Sequence, residues 1–105
     1  MNPNLSGLGR FADSALFVLA SLGGGPKHGY AIMRDVRRDA GVQLGPGTLY
    51  GAISRLERRG WIVAQAAESR RRPYALTDVG RRVLLEECSQ LRHFVDRVLV
   101  QQPGS

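Results

Sequence analysis

The chain has 105 residues, of which 43% are hydrophobic and 23% charged; this suits one domain with its own core and is too apolar for a disordered segment. Fifteen basic residues oppose nine acidic ones, a formal charge of +6, which points to a polyanionic partner such as nucleic acid and excludes a cationic substrate.

Residues 1–11, with Asn2, Pro3, Asn4, Ser6, Gly7 and Gly9, read as a loose arm. Asp13 or Ser14 can cap a first helix through Leu22, whose nearly all-apolar sequence implies burial on most sides. Gly23, Gly24, Gly25 and Pro26 end it. The spacing predicts a second helix from about His28 to Asp39, with Tyr30, Met33 and Val36 turned inward and Lys27, Arg34, Arg37 and Arg38 outward, closed by Gly41.

Gly45 and Pro46 announce a third helix, because proline at the first helical position lacks only a hydrogen that would be unpaired anyway. It should run to about Arg59. Leu49, Ala52, Ile53 and Leu56 recur at helical spacing as its buried face, leaving Gly47, Thr48, Tyr50, Gly51, Ser54, Arg55 and Arg58 wholly or partly exposed. Gly60 stops it, and the period then changes. Trp61 to Ala64 and Pro73 to Leu76 are short strand candidates flanking a polar, basic segment, which predicts a hairpin with an arginine-rich tip. Thr77 can cap a fourth helix, with Asp78 in its first turn favouring the helix dipole. No proline interrupts Asp78 to Val100, so this helix can reach about 35 Å.

Leu84, Cys88, Leu91, Val95 and Val98 follow a four-three-four-three spacing, the pattern of a coiled-coil seam, and Leu85, Phe94 and Leu99 widen the stripe. One small domain cannot cover all of it, so self-association through the last helix is expected, with Leu84, Cys88, Leu91, Phe94, Val95 and Val98 as the dimer contacts. The tail from Gln101 to Ser105 should fray.

The charge is unevenly placed. Residues 1–54 hold five basic and three acidic side chains, net +2; residues 55–82 hold eight arginines against three acids, net +5; residues 83–105 hold two against three, net −1. Fourteen of the fifteen cations are arginine, which suits bidentate contact with phosphate or guanine. Arg70, Arg71 and Arg72 form the densest cluster, suited to neutralising phosphates from the tip of a two-stranded ribbon.

Three helices, a hairpin and a long helix match a mainly α, winged helix-turn-helix arrangement in which the third helix enters the major groove and the hairpin approaches the backbone or minor groove. Thr48, Tyr50, Ser54 and Arg55 then supply hydroxyls and a guanidinium toward base edges and phosphates. Gly47 and Gly51 would let DNA come close. Lys27 at the amino end of the second helix could add a phosphate contact.

Enzyme readings fare poorly. His28 and His93 are far apart, no serine sits in a nucleophile-elbow pattern, and the triple glycine lacks the Gly-Lys-Ser/Thr of a phosphate loop. The lone Cys88 excludes an intrachain disulfide and paired-cysteine zinc patterns, and lies about 140° around the helix from His93. No metal or cofactor is implied. The apolar run from Ala15 to Leu22 is far too short to span a membrane, and the simplest location is the cytoplasm, beside the nucleoid.

The residues from about Asp13 to Val100 resemble the PadR family of winged-helix transcriptional regulators, in the short form with one C-terminal helix. The resemblance rests on Gly25-Pro26-Lys27-His28-Gly29-Tyr30 with Ile32, on Leu44-Gly45-Pro46-Gly47-Thr48-Leu49-Tyr50, on Leu56-Glu57 with Gly60 and Ile62, and on Arg71-Arg72-Pro73-Tyr74-Ala75-Leu76-Thr77-Asp78-Val79-Gly80. It implies a homodimeric bacterial regulator, usually a repressor, on an inverted-repeat operator in double-stranded DNA, which a small-molecule effector can release. The family's groove-reading motif falls on Gly47, Thr48, Leu49 and Tyr50, with Tyr50 meeting a phosphate; its wing falls on Arg70 to Tyr74; and the amino end of the second helix, Lys27, His28 and Tyr30, lies among the DNA contacts.

Gly51, where relatives often carry a bulkier residue, and Pro73, which interrupts the basic run, depart from the pattern and bear on base preference and wing shape. The last helix has Phe94 but no tryptophan of the kind that lines drug sites in some relatives. The expected organisation is an arm over 1–11, a winged helix-turn-helix domain over 12–76, a dimerisation helix over 77–100 and a tail over 101–105. The alternative is a winged-helix scaffold that binds a ligand or another protein through its last helix.

Overall fold

The apolar face of the first helix fixes the centre of the molecule. In the computed structural model, which describes residues 14–66 and 72–104, helix α1 spans Ser14–Leu22 and buries Ala15, Val18, Leu19, Ser21 and Leu22. The next three helices and the second strand all pack against it. Its end is tied off by the Gly23 and Gly25 amides, which donate to the carbonyls of Leu19 and Leu22 at 2.9 and 3.0 Å. Gly25 itself adopts φ +127°, open to glycine and rarely to other residues.

Helix α2 spans Gly29–Ala40 and ends on Gly41 in the left-handed region, whose amide donates to the Arg37 carbonyl at 3.1 Å. Its buried face is Gly29, Ile32, Asp35 and Val36. This corrects the expected stripe of Tyr30, Met33 and Val36. Ile32 and Val36 set the phase, Met33 falls at the half-buried edge, and Tyr30 is left 70% exposed.

Helix α3 spans Pro46–Arg58, with Gly45 as N-cap and Pro46 in the first turn; it buries Leu49, Ala52, Ile53 and Leu56. The pattern of one stripe inward and the rest outward matches the apolar spacing of this segment. Strands β1 (Ile62–Ala64) and β2 (Tyr74–Leu76) pair antiparallel in the register Ile62 with Leu76, Val63 with Ala75 and Ala64 with Tyr74. Beyond β1 the Gln65 amide donates to the Pro73 carbonyl at 2.8 Å, so the ribbon continues toward its tip.

Lys27 adds a connection that strand periodicity does not announce. Its amide donates to the Tyr74 carbonyl at 3.0 Å, and the Tyr74 amide donates back to the Lys27 carbonyl at 2.8 Å. The loop between α1 and α2 thereby becomes a one-residue third strand, and the outer edge of β2 is paired rather than open.

Helix α4 spans Asp78–Val100. Thr77 is its N-cap: the Thr77 hydroxyl accepts from the Gly80 amide at 3.0 Å and donates to the Gly60 carbonyl at 2.7 Å, tying the helix start to the end of α3. Gly80 lies against the Trp61 backbone so closely that an added Cβ would fall 2.8 Å from the Trp61 carbonyl carbon and nearer still to its oxygen. Leu84 enters the common core with Val18, Leu19, Leu22, Ile32, Leu49, Ile53 and Leu56. Past Leu84 the helix projects away. The molecule measures 56 × 31 × 20 Å with a radius of gyration of 15.4 Å, against about 13 Å for a compact chain of this length.

Candidate nucleic-acid interface

With one side of α3 wholly committed to the core, its other side is presented outward. Gly47, Thr48, Ser54 and Arg55 are exposed, and Tyr50 is half-exposed. The Arg55 guanidinium reaches back toward α1, with Nη2 at 3.5 Å from the Ser14 hydroxyl. A Cβ placed on Gly47 or Gly51 meets nothing within 4 Å, so the protein's own packing does not require glycine at either position.

Tyr50 joins α3 to α2. Its ring leans over the first residue of α2, where a Cβ on Gly29 would lie 2.6 Å from the Tyr50 hydroxyl oxygen and 3.1 Å from the ring carbon bearing it. Gly29 therefore makes room for the phenol. His28, the N-cap of α2, is exposed and its side chain makes no capping bond. Tyr30, two residues on, is exposed, with the Arg34 guanidinium 6.0 Å from its ring centre. The Gly29–Tyr50 approach thus sets the start of α2 against α3.

Lys27 is placed differently from its expected outward position. Its ammonium donates to the Ser21 carbonyl at 2.6 Å and forms an ion pair with Asp35, whose other partner is the Ser21 hydroxyl at 2.8 Å. Arg38 approaches the same carboxylate at 3.2 Å. Asp35 is buried, and the hydrogen bonds from Lys27 and Ser21 hold its carboxyl below the usual range against the opposing effect of burial. The physical reason for the correction is neutralisation: a buried carboxylate on the inner face of α2 needs a cation, and Lys27 supplies it. Asp35 on the apolar stripe of Ile32 and Val36 was the available signal for this network.

On the hairpin, Arg72 is exposed; Arg70 and Arg71 lie outside the described residues. Tyr74, half-buried in β2, has its phenol pushed above the usual range, first by burial and then by the charge of Glu57. Trp61, partly buried against the core, carries the Arg59 guanidinium over its ring at 5.0 Å.

The seam on α4 divides at its first member. Leu84 is buried within the chain's own core, so it is a core residue rather than a free dimer contact: the start of α4 packs on the hairpin base and α1, with Gly23 beneath Leu84. Cys88, Leu91, Phe94, Val95 and Val98 are exposed, as are Leu85 and Leu99. Among the described residues no three His, Cys, Asp or Glu side chains are grouped to hold a metal ion. No described helix is long and apolar enough to cross a membrane.

The chain is similar to known proteins over most of its length. The model of the "Transcriptional regulator PadR-like family" matches residues 18–86. A curated relative, an "Uncharacterized 37.1 kDa protein in transposon TN4556" from Streptomyces fradiae, is 39% identical over 89 residues; these are 85% of this chain and 26% of that protein, so the chain spans about a quarter of its length.

Among solved structures, a PadR family transcription regulator from Clostridium difficile R20291 is 28% identical with a TM-score of 0.70, covering 83% of this chain and 94% of that one. A PadR family transcriptional regulator from Eggerthella lenta DSM 2243 is 26% identical with a TM-score of 0.74, covering 98% and 96%. The family match takes in the core helices, the outward face of α3, the hairpin and the start of α4. By sequence and by fold, the chain belongs to the PadR-like family of transcriptional regulators, which are not enzymes.

Proposed function

We propose that the protein acts as a homodimer that binds a near-palindromic operator in double-stranded DNA and represses transcription there. The observation that carries this reading is the two-sidedness of α3: Leu49, Ala52, Ile53 and Leu56 are buried, while Gly47, Thr48 and Ser54 are exposed and Tyr50 is half-exposed where it leans on Gly29. A helix so mounted fits the major groove, with its N-terminal half toward base edges. Arg70, Arg71 and Arg72 on the hairpin would then add backbone contacts.

The projecting part of α4 supports the homodimer. Cys88, Leu91, Phe94, Val95 and Val98 leave apolar surface exposed on a helix that extends beyond the domain. The segment 83–105 carries net −1 while 55–82 carries net +5, so two copies meeting along α4 bring together the least basic part of each chain. Release by a small-molecule effector belongs to the same proposal, as does action in the cytoplasm on the nucleoid.

The test is fluorescence anisotropy with DNA from upstream of the chain's own gene, alongside light scattering. A dimer mass, preference over scrambled DNA and steep weakening with salt are expected. Equal affinity for scrambled DNA refutes operator recognition. A stable monomer would favour the last helix as a docking element for a different partner.

A further inference from the structure

We propose that the outer face of α2, through Arg34 and Arg37 with Tyr30 and Gln43, is a docking cleft for the phosphate backbone beside the groove that α3 enters; this rests on the DNA-binding reading above. Tyr30, Arg34 and Arg37 follow i, i+4, i+7 spacing and so share one side of the helix, within about 60° of one another at 100° per residue. Together with Met33, Gln43 and Leu44 they line a cleft between α2 and the residues leading into α3. The Arg34 guanidinium is set against the Tyr30 ring.

The four cations on and before α2 divide into two pairs. Lys27 and Arg38 are neutralised by Asp35 and Asp39 on the side toward α1. Arg34 and Arg37 make no ion pair among the described residues, and both are exposed. Their charge is therefore available to an outside anion.

The side chains of α3 supply a reason for that anion to be DNA. Thr48, Tyr50 and Ser54, its outward groups nearest the N-terminus, are neutral, and Arg55 is directed toward Ser14. Arg55 and Arg58, the cations of α3, sit in its last turn, so cations for phosphates beside its N-terminal half are best supplied by a neighbouring element. Arg34 and Arg37, separated by about 4.5 Å of helix rise, fit neighbouring phosphates on one strand. Guanidinium groups bind phosphate oxygens in a bidentate fork, and the Tyr30 hydroxyl and Gln43 amide offer further donors. Such contacts position the protein and carry no base preference.

The experiment measures affinity against salt for the full chain on two duplexes of equal length, one from upstream of its own gene and one scrambled. Each phosphate contact contributes about 0.9 to the slope of log affinity against log salt. Arg34→Ala with Arg37→Ala removes four contacts from a homodimer and should lower that slope by about 3.6, so that a fourfold rise in salt costs the double variant about a hundredfold less affinity than it costs the parent. Both duplexes should weaken alike. Arg38→Ala removes one charge from the same helix, half as much as the double variant, but from a neutralised site, and should leave the slope unchanged.

An unchanged slope in the double variant overturns the proposal, as does a fall in Arg38→Ala of half the double variant's or more, which would mean a diffuse response to net charge. Arg34→Gln with Arg37→Gln keeps most of each aliphatic stem and is read in the same way should the alanine pair fold poorly. If the parent binds no DNA, the reading beneath this inference has failed. If the parent binds and the slope stands, only the cleft has.

Discussion

Gly80→Ala sets two physical effects against each other. In an open helix the change from glycine to alanine stabilises by about 1 kcal/mol. Here the new methyl would sit 2.8 Å from the carbonyl carbon and 3.1 Å from the Cα of Trp61. These are backbone atoms, so no rotamer change relieves the contact. Since carbon atoms normally approach to about 3.5–4.0 Å, α4 has to retreat from the hairpin base by roughly 1 Å. That movement stretches the Thr77 amide bond to the Trp61 carbonyl, now 3.1 Å, and the Thr77 hydroxyl bond to the Gly60 carbonyl, now 2.7 Å.

Two hydrogen bonds at about 1 kcal/mol each and overpacking of about 1–3 kcal/mol outweigh the propensity gain of about 1 kcal/mol. A net destabilisation of about 2–4 kcal/mol results, a large share of the few kcal/mol that hold a small domain folded. The chain's one tryptophan, Trp61, lies at the contact itself. Urea denaturation followed by its fluorescence, at one protein concentration, should therefore show a clearly lowered midpoint. A midpoint equal to or above that of the parent would refute the steric argument and mean that α4 has slack at its root.

Gly51→Ala is the matching case in open space: it should stabilise by about 1 kcal/mol while weakening DNA binding, and unchanged affinity in the anisotropy assay would leave Gly51 no role beyond weakening α3. Asp35→Asn should cost about 2 kcal/mol at neutral pH, as hydrogen bonds to a charged group are lost. Because the folded carboxyl titrates below its unfolded value, this contribution is present above a pH of about 4 and is lost as pH falls through the folded pKa. Parent and Asp35→Asn midpoints should converge in acid, and a constant gap would show that the carboxylate charge is not what matters. Leu84→Ala should cost about 2–5 kcal/mol, whereas Val95→Asp should leave the fold intact and give a monomer by light scattering. A dimeric Val95→Asp chain would put the subunit contact elsewhere.

Periodicity made the helices legible wherever one apolar stripe dominated. Leu49, Ala52, Ile53 and Leu56 leave one solution for α3, and the glycines at 41, 45 and 60 bound their elements by conformations and caps that the residue type announces. On α2 the spacing admits two phases, one through Tyr30, Met33 and Val36 and one through Ile32 and Val36, and only packing in the common core decides between them. Asp35 is not legible for a related reason: a carboxylate on an inward face makes sense only once Ser21 and Lys27, distant in sequence, are brought beside it. On α4 the spacing that joins Leu84 to Val98 is continuous, and it contains nothing to say where the domain stops covering it. That boundary is set in three dimensions, by the length of α1 beneath.

Lys27 shows why charge counting alone misplaces an anion-binding face. Its backbone pairs with Tyr74 on the hairpin, and its side chain closes on Asp35 in α2 and on the Ser21 carbonyl at the end of α1. One residue thus joins the hairpin, α1 and α2, with its charge consumed inside the fold. The hairpin's position relative to α2 is held by these internal bonds before any DNA is present. Since Tyr50 leans on Gly29 at the start of the same helix, the outward face of α3 and the base of the hairpin are referred to one common element. On the proposed operator-binding reading, a change that loosened Lys27 would act through misalignment of α3 and the hairpin, weakening recognition of the specific site more than salt-sensitive attachment to any duplex.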